Sequence, residues 1–479
     1  MTDGERAARL PDAEYLPLRS VAERVAHGIG LRSTAPLERH ADWAPAPGRA
    51  DPVAILQHQA EERVPDLLPI RYGRMQQSAF AFYRGGAAIM AADLAGTPTS
   101  GLHAQLCGDA HLLNFGLFES PERTLVFGLN DFDETLPGPI EWDVKRLAVS
   151  IEIAGRDLAF EEAERREAVV ATVRAYRQAL LAFAVQRNLD VWFARLPATE
   201  LQTRLQALAD RGSRHEVKRQ IKKALERDHL RAFSRLVEEV DGSLRFSFRP
   251  PLLVPIEELL DPGQRARYVE VVRAFLHQYR ESLQLDRRTL VESYRFLHIA
   301  RKVVGVGSVG TRAWVVLLVG HDPDDPMILQ LKEAQQSVLA PYAGETRFGC
   351  QGRRVVEGQR LMQAASDPLL GWYHVDGGFD GGNHDYYVRQ LWDGKASIDV
   401  SQLSPAGLVV YGESCGWTLA RGHARSGDRV AMAAYLGEEP VFEEAVADFA
   451  AAYAETNEAD HQLLCRAVTE GRLPAVDGI

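Results

Sequence analysis

Two short stretches carry residue types suited to moving a phosphoryl group. Residues 108–116 read GDAHLLNFG, and residues 130–134 read NDFDE. Asp109 stands five positions before Asn114, and Asp131 and Asp133 follow at the end of the next apolar run. Phosphoryl transfer needs a carboxylate to accept or orient a hydroxyl, and an amide oxygen with a second carboxylate to hold magnesium against the phosphates. Magnesium prefers hard oxygen ligands and usually takes only one or two protein carboxylates. On this reading Asp109 is the catalytic base, Asn114 and Asp131 are magnesium ligands, and Asp133 is a further carboxylate at the metal. Any one of them alone is equally at home in a turn after a strand; the joint spacing carries the signal. His111 is read as a substrate contact or a brace of its loop, the brace being the favoured reading.

A second set lies far downstream. Residues 305–310 read GVGSVG, and Lys332 follows. A dinucleotide-binding turn with the same letters runs straight into a helix. Here the glycines lead into TRAWVVLLVG, a β-branched run, then HDPDDP, a turn by composition, then MILQLKEA. The pattern predicts a hairpin with Lys332 on its second strand. Gly305, Gly307 and Gly310, with Ser308 among them, would let backbone amides approach the phosphates of ATP. A lysine point charge suits the α- and β-phosphates. A glycine-rich loop followed by a strand lysine resembles the arrangement with which protein kinases cover ATP. Residues 353–367, RRVVEGQRLMQAASD, predict a helix that offers Glu357 to orient Lys332, with Glu345 also in range. YYVRQL, residues 386–391, is the strand whose backbone would read adenine.

These residues need elements to position them. Residues 1–50 mix Pro, Gly and charge and read as a loose leader, with helical periodicity starting near Pro52. HAQLC and TLVFGL, residues 103–107 and 124–129, have strand length, each ending in a polar cluster. From Glu141 to about Leu285 the texture is helical, with WDVKRLAVSIEIAGRDLAF its clearest amphipathic piece. A β-rich segment begins near Val303, and helix returns from Ser404 to Arg472. The expected fold is α+β and two-lobed: a catalytic helical lobe over 51–296, a β-rich nucleotide lobe over 297–395, and helices over 396–479 that rejoin the first lobe.

The chain has 479 residues, 46% hydrophobic and 25% charged, which is the composition of a folded soluble protein and is too long for one ordinary core. A formal charge of −11 disfavours nucleic acid and anionic membrane as partners. The basic stretch at residues 211–233 would suit an anionic acceptor, but a charge run of this kind reads first as a solvated helix face. Cys107, Cys350, Cys415 and Cys465 lie far apart with no CxxC spacing, as suits reduced thiols in a cytosol. Neither a signal peptide nor a membrane span is visible, so the expected location is cytoplasmic.

GDAHLLN resembles the HGDxHxxN loop of aminoglycoside-phosphotransferase-like small-molecule kinases, and NDFDE resembles their IDFD. GPIEWDVKRLA, residues 138–148, extends the likeness to the GPxxxDLA helix of those kinases. Cys107 stands where their first His would be. The resemblance implies ATP and magnesium as cofactors and, with only residues 135–141 between Glu134 and Trp142, a small-molecule acceptor. Because the glycine loop and lysine follow the catalytic motifs, it implies a circularly permuted kinase-like fold. Across residues 71–465 the chain also resembles an uncharacterised bacterial domain-of-unknown-function family, through Ser78–Gly85, Gly108–Gly116, Asn130–Glu134, Trp142–Leu147 and Leu419–Asp428. Three rival readings stand beside the kinase. A metal-dependent phosphoesterase would use Asp109 and His111 with GNHD at residues 382–385 and His423. A pseudokinase and a nucleotidyl transferase would share the scaffold. Oligomeric state is not legible.

Overall fold

The computed structural model describes residues 19–208, 233, 235–303, 305, 307, 309–378, 382–391 and 399–476. It is a mixed α+β protein. The central element is the helix Ile140–Asp157, in which every residue from Ile140 to Gly155 is buried. The expected amphipathic face is therefore absent, and the helix is surrounded. Helices Glu162–Ala184, Pro405–Ser426 and Val441–Thr469 pack around it. Small residues permit the closest approach: a Cβ at Gly416 would stand 2.2 Å from the Thr172 carbonyl oxygen. Several charged residues of the central helix are tolerated because they are paired, as with Glu152, which accepts from Arg156 at 2.8 Å and Arg165 at 3.0 Å, whereas Lys145 Nζ lies 4.2 Å from the Phe449 ring centre.

The described part of the expected loose leader is docked. Ser20 and Glu23 form a reciprocal cap on helix Val21–Leu31. That helix lies on helix Arg429–Leu436, and a Cβ at Gly28 would meet the Ala431 carbonyl at 2.2 Å. Arg49 then clamps Asp93 and Asp460 at 2.6–2.8 Å.

Four short strands sit beside the central helix. β1 (His103–Leu106) pairs antiparallel with β4 (Leu136–Pro139), and β2 (Phe115–Glu119) pairs antiparallel with β3 (Leu125–Leu129). The GDAH loop joins β1 to β2 and the NDFDE loop joins β3 to β4. The stretch expected to be mostly helical also holds β5 (Leu196–Pro197), β6 (Val237–Val240), β7 (Ser243–Phe246) and β8 (Leu253–Pro255). Most of the basic stretch at residues 211–233 lies outside the described residues.

The second half is built on an antiparallel sheet of six strands among the described residues. β9 is Arg295–Lys302, β10 Ala313–Val319, β11 Pro326–Glu333, β12 Gly371–Val375 and β13 His384–Gln390; the order is β12-β13-β11-β10-β9-β8. All residues of β10 and β11 are buried, which explains the unbroken apolar run of β10 and the apolar start of β11, Pro326–Leu329. Trp314, Val316 and Leu318 face a core with Phe275 and Tyr279 of helix Pro262–Glu281, whereas Val315 and Leu317 face Phe246 and Leu253. Side-chain alternation puts Gln330 and Lys332 on one face of β11, and their cross-strand partners Arg389 and Tyr387 share it. The Gln351–Met362 helix follows β11 and packs on β12 and β13. Among the described residues no helix is long and apolar enough to cross a membrane.

Candidate functional site

The GDAH loop is held from below by a carboxylate. Asp143, in the first turn of the central helix, accepts from the backbone N–H of Cys107 at 2.7 Å and of Gly108 at 3.0 Å. His423 Nε2 approaches the same carboxylate at 3.4 Å, and its Nδ1 hydrogen-bonds the Tyr176 hydroxyl at 2.8 Å. Gly108 has φ +84°, and a Cβ there would stand 2.2 Å from the Glu134 carbonyl oxygen, so only glycine fits this crossing of the two acidic loops. Ser150 Oγ accepts from Leu112 N–H at 2.9 Å.

Asn114 locks the loops together. Its amide nitrogen donates to the carbonyl oxygens of Asp109 at 3.0 Å and Asp131 at 2.9 Å. Its oxygen, expected to face magnesium, accepts from the backbone N–H of Asp131 at 2.7 Å and of Asn130 at 3.3 Å. The side chain is thus a brace in this conformation. Asp109 is oriented by Arg146, whose Nε and Nη2 both reach Oδ1, at 2.9 and 2.8 Å. Arg146 in turn donates to the Tyr83 carbonyl at 2.7 Å and lies 3.8 Å from the Tyr83 ring centre. Oδ2 of Asp109 lies 3.8 Å from His111 Nε2. Burial pushes the His111 imidazole down to about 4, so it is neutral at pH 7.

Lys332 joins this constellation from the sheet. Its ammonium lies 2.6 Å from Asp133 Oδ2 and 3.2 Å from both oxygens of Asp131. Burial disfavours its charge, but the two carboxylates outweigh burial and hold its pKa above the ordinary lysine value. Tyr387, opposite Lys332 in the sheet, donates to Asp133 Oδ1 at 2.5 Å. Arg389 donates to the Asn130 carbonyl at 3.1 Å. Arg354 ties the halves together by donating to the carbonyls of Asp133, Thr135 and Gln335 at 2.7–2.8 Å. Glu134 is partly buried beside them, and desolvation of its carboxyl pushes it up to about 7 despite the hydrogen bond it accepts from Val338 N–H at 2.7 Å.

The glycine turn between β9 and β10 closes the other side. Arg63 donates to the carbonyls of Gly307 at 3.0 Å and Val309 at 2.5 Å, and Val64 N–H donates to the Gly310 carbonyl at 2.7 Å. Gly310 has φ +92°, a conformation that favours glycine. Asp109, Asn114, Asp131, Asp133, Lys332, Gly305 and Gly307 all line one cavity of about 290 Å³. Gly310 stands behind it against Arg63, and Ser308 lies outside the described residues.

Glu357 is not brought to Lys332. It sits between Arg353 at 3.9 Å and Arg360 at 3.7 Å on the outer side of the Gln351–Met362 helix. The inner side of that helix carries Arg354 and Gly358. Glu345 pairs with Gln336 at 2.8 Å. The phosphoesterase fragments also stay apart. His384 bonds Glu333 at 3.1 Å, Asp385 bonds His374 at 2.7 Å, and His423 is buried under the GDAH loop. Among the described residues no group of three or more His, Cys, Asp or Glu side chains is placed to hold a metal ion.

Sequence reasoning missed Arg63, Arg84, Arg146, Arg354 and Tyr387. Arg84 and Arg146 fall inside the FAFYRG and WDVKRL motifs, a signal that was present; Arg354 and Tyr387 lie in the helix and strand singled out at residues 353–367 and 386–391, where other residues were given the roles. Residues 63–467 match the family model described as an uncharacterized protein conserved in bacteria, DUF2252. The chain belongs to the DUF2252 family. All the site residues named above, from Arg63 to His423, fall within the matched span. No curated protein and no solved structure matches the chain.

Proposed function

We propose that this DUF2252 chain is an ATP- and magnesium-dependent phosphotransferase acting on a small-molecule acceptor, on a kinase-like scaffold whose catalytic half precedes its nucleotide half. The observation that carries the reading is the meeting of Lys332 with Asp131 and Asp133, motifs far apart in sequence, on the wall of a cavity that also holds Asp109 and the glycine turn. The run of elements supports it as well. β9, the glycine turn, β10, a lysine on β11, and then the Gln351–Met362 helix are the parts with which protein kinases cover ATP. Lys332 differs in taking two aspartates as partners where a kinase lysine takes a helix glutamate.

Asp131 and Asp133 suit magnesium, being hard oxygen donors that already converge on one cation and remain partly open to solvent. When bound with nucleotide, the metal would supply positive charge to offset that on the transferred phosphoryl group. Lys332 and the turn amides would hold the phosphates. Asp109, oriented by Arg146, would take the acceptor's proton as its hydroxyl oxygen bonds to the γ-phosphorus, the bond to the bridging oxygen breaks and ADP leaves. Asn114 and Asp143 keep the loops in place.

Steady-state ATP turnover, read as ADP release with magnesium, tests this. Asp109→Asn should lower turnover about 10²–10⁴-fold with ATP affinity retained; undiminished turnover would sink the assignment. Release of pyrophosphate in place of ADP would turn the reading toward nucleotidyl transfer.

A further inference from the structure

Beyond Asp109 the cavity continues to a wall that phosphate handling leaves without a role. Among its lining residues are Gln59, Arg84 and His111. Arg84 belongs to the FAFYRG stretch, on helix Ala79–Gly85. Its neighbour Tyr83 is the residue against which Arg146 stacks, so this one short helix places two arginines, one holding Asp109 and one beside it.

The charges around the cavity are unevenly matched. Asp109 is paired with Arg146, Asp131 and Asp133 with Lys332, and Glu333 with Arg312 at 3.1 Å. Arg84 makes no ion pair among the described residues, and its Nε is buried with no hydrogen-bond partner. His111 Nδ1 and Arg63 Nε are buried and unpartnered in the same wall. A buried guanidinium N–H without an acceptor is costly, and desolvation here pushes the Arg84 pKa below the usual arginine value. The carboxylate that most influences Arg84 is Asp109, and Arg84 in turn bears on His111. Arg63 instead feels Glu134, Glu333 and Asp133 and holds the glycine turn. Arg84 thus lines the cavity together with Asp109 and His111, its backbone carbonyl 3.3 Å from where a Cβ on Gly307 would stand, while Arg63 braces the glycine turn.

We propose that Arg84 is the anion-binding residue of the acceptor site, so that the acceptor carries a carboxylate or phosphate that pairs with the Arg84 guanidinium while its hydroxyl meets Asp109. This rests on the phosphotransferase reading. A planar fork of donors suits either anion, and His111, neutral at pH 7, adds a hydrogen bond without a second charge.

The test uses inorganic phosphate and citrate as probes, titrated by calorimetry into the full chain saturated with magnesium and a non-hydrolysable ATP analogue. At least one anion should bind while the nucleotide is in place. Arg84→Gln should weaken it roughly tenfold or more, the loss expected for a charge-assisted hydrogen bond. Arg84→Lys should recover part of that loss, and both variants should bind the analogue as the wild type does. Phosphate binding without citrate binding assigns a phosphorylated acceptor, and the reverse assigns a carboxylate. The inference is overturned if neither anion binds the nucleotide-loaded chain, if the nucleotide displaces the anion, or if Arg84→Gln leaves its affinity unchanged. The first two outcomes are read on wild type, so a misfolded variant does not leave the question open. Failure of wild type to bind the analogue at all is a separate result that removes the phosphotransferase reading and this inference with it.

Discussion

Replacing Asp143 by Asn should detach the GDAH loop from the central helix. Both carboxylate oxygens are used, Oδ2 by Cys107 N–H at 2.7 Å and Oδ1 by Gly108 N–H at 3.0 Å, on a residue that is only 1% exposed. Asparagine can accept from one N–H and presents its own NH₂ to the other. A buried donor left without an acceptor costs about 1–3 kcal/mol, and the surviving bond loses about 1 kcal/mol of charge assistance. The folded state should thus lose about 2–4 kcal/mol. Urea unfolding followed by tryptophan fluorescence would show this as a lower midpoint at constant slope. Amide exchange at Cys107 and Gly108 should quicken in the same variant, because their acceptor is weakened locally. A loss below about 0.5 kcal/mol, the range of an ordinary surface change, with unaltered exchange would refute the claim that Asp143 carries the loop.

Glu134 gives a pH dependence. Its folded pKa of about 7 lies above its ordinary 4.5, so its contribution to stability is complete below 4.5 and is lost as pH rises through 7. Wild type should lose up to about 3 kcal/mol over that window, and Glu134→Gln should not; parallel pH profiles of the unfolding midpoint would count against the burial argument. Gly310→Ala should cost about 1–2 kcal/mol through its positive φ, read as a lower Tm, and an unchanged Tm would show that the turn adjusts freely. Glu357→Ala should leave ATP affinity unchanged, because Lys332 is held by Asp131 and Asp133; a tenfold loss on titration (about 1.4 kcal/mol) would restore the expected Lys332–Glu357 pair.

The sequence was legible where one element carried its own signal. β10 and β11 could be read because both are buried on both faces and rich in apolar residues, and both acidic loops could be read because they follow short strands. β9 was partly missed since RFLHIARK is too polar to stand out; its outer residues meet solvent and the Asp66 carboxylate. The central helix misled because Asp143, Arg146 and Glu152 mimic a polar face, yet each is paired with a partner distant in the chain. Such pairings leave no local periodicity. The Glu357 expectation failed on helix phase: Gly358, which crowds Thr135, and Arg354 four residues before it define the inner face, so Glu357 turns outward. For the leader, neither the cap at Ser20 and Glu23 nor the docking site on helix Arg429–Leu436 was read from the sequence.

The central claim, that the acidic loops and the glycine–lysine segment form one nucleotide site, is tested most directly by calorimetric titration of ATP into wild type and Lys332→Ala, with and without magnesium. The account predicts magnesium-dependent binding to wild type and its loss in a variant that still unfolds cooperatively. Absence of ATP binding to wild type, or equal affinity in a folded Lys332→Ala, would contradict it.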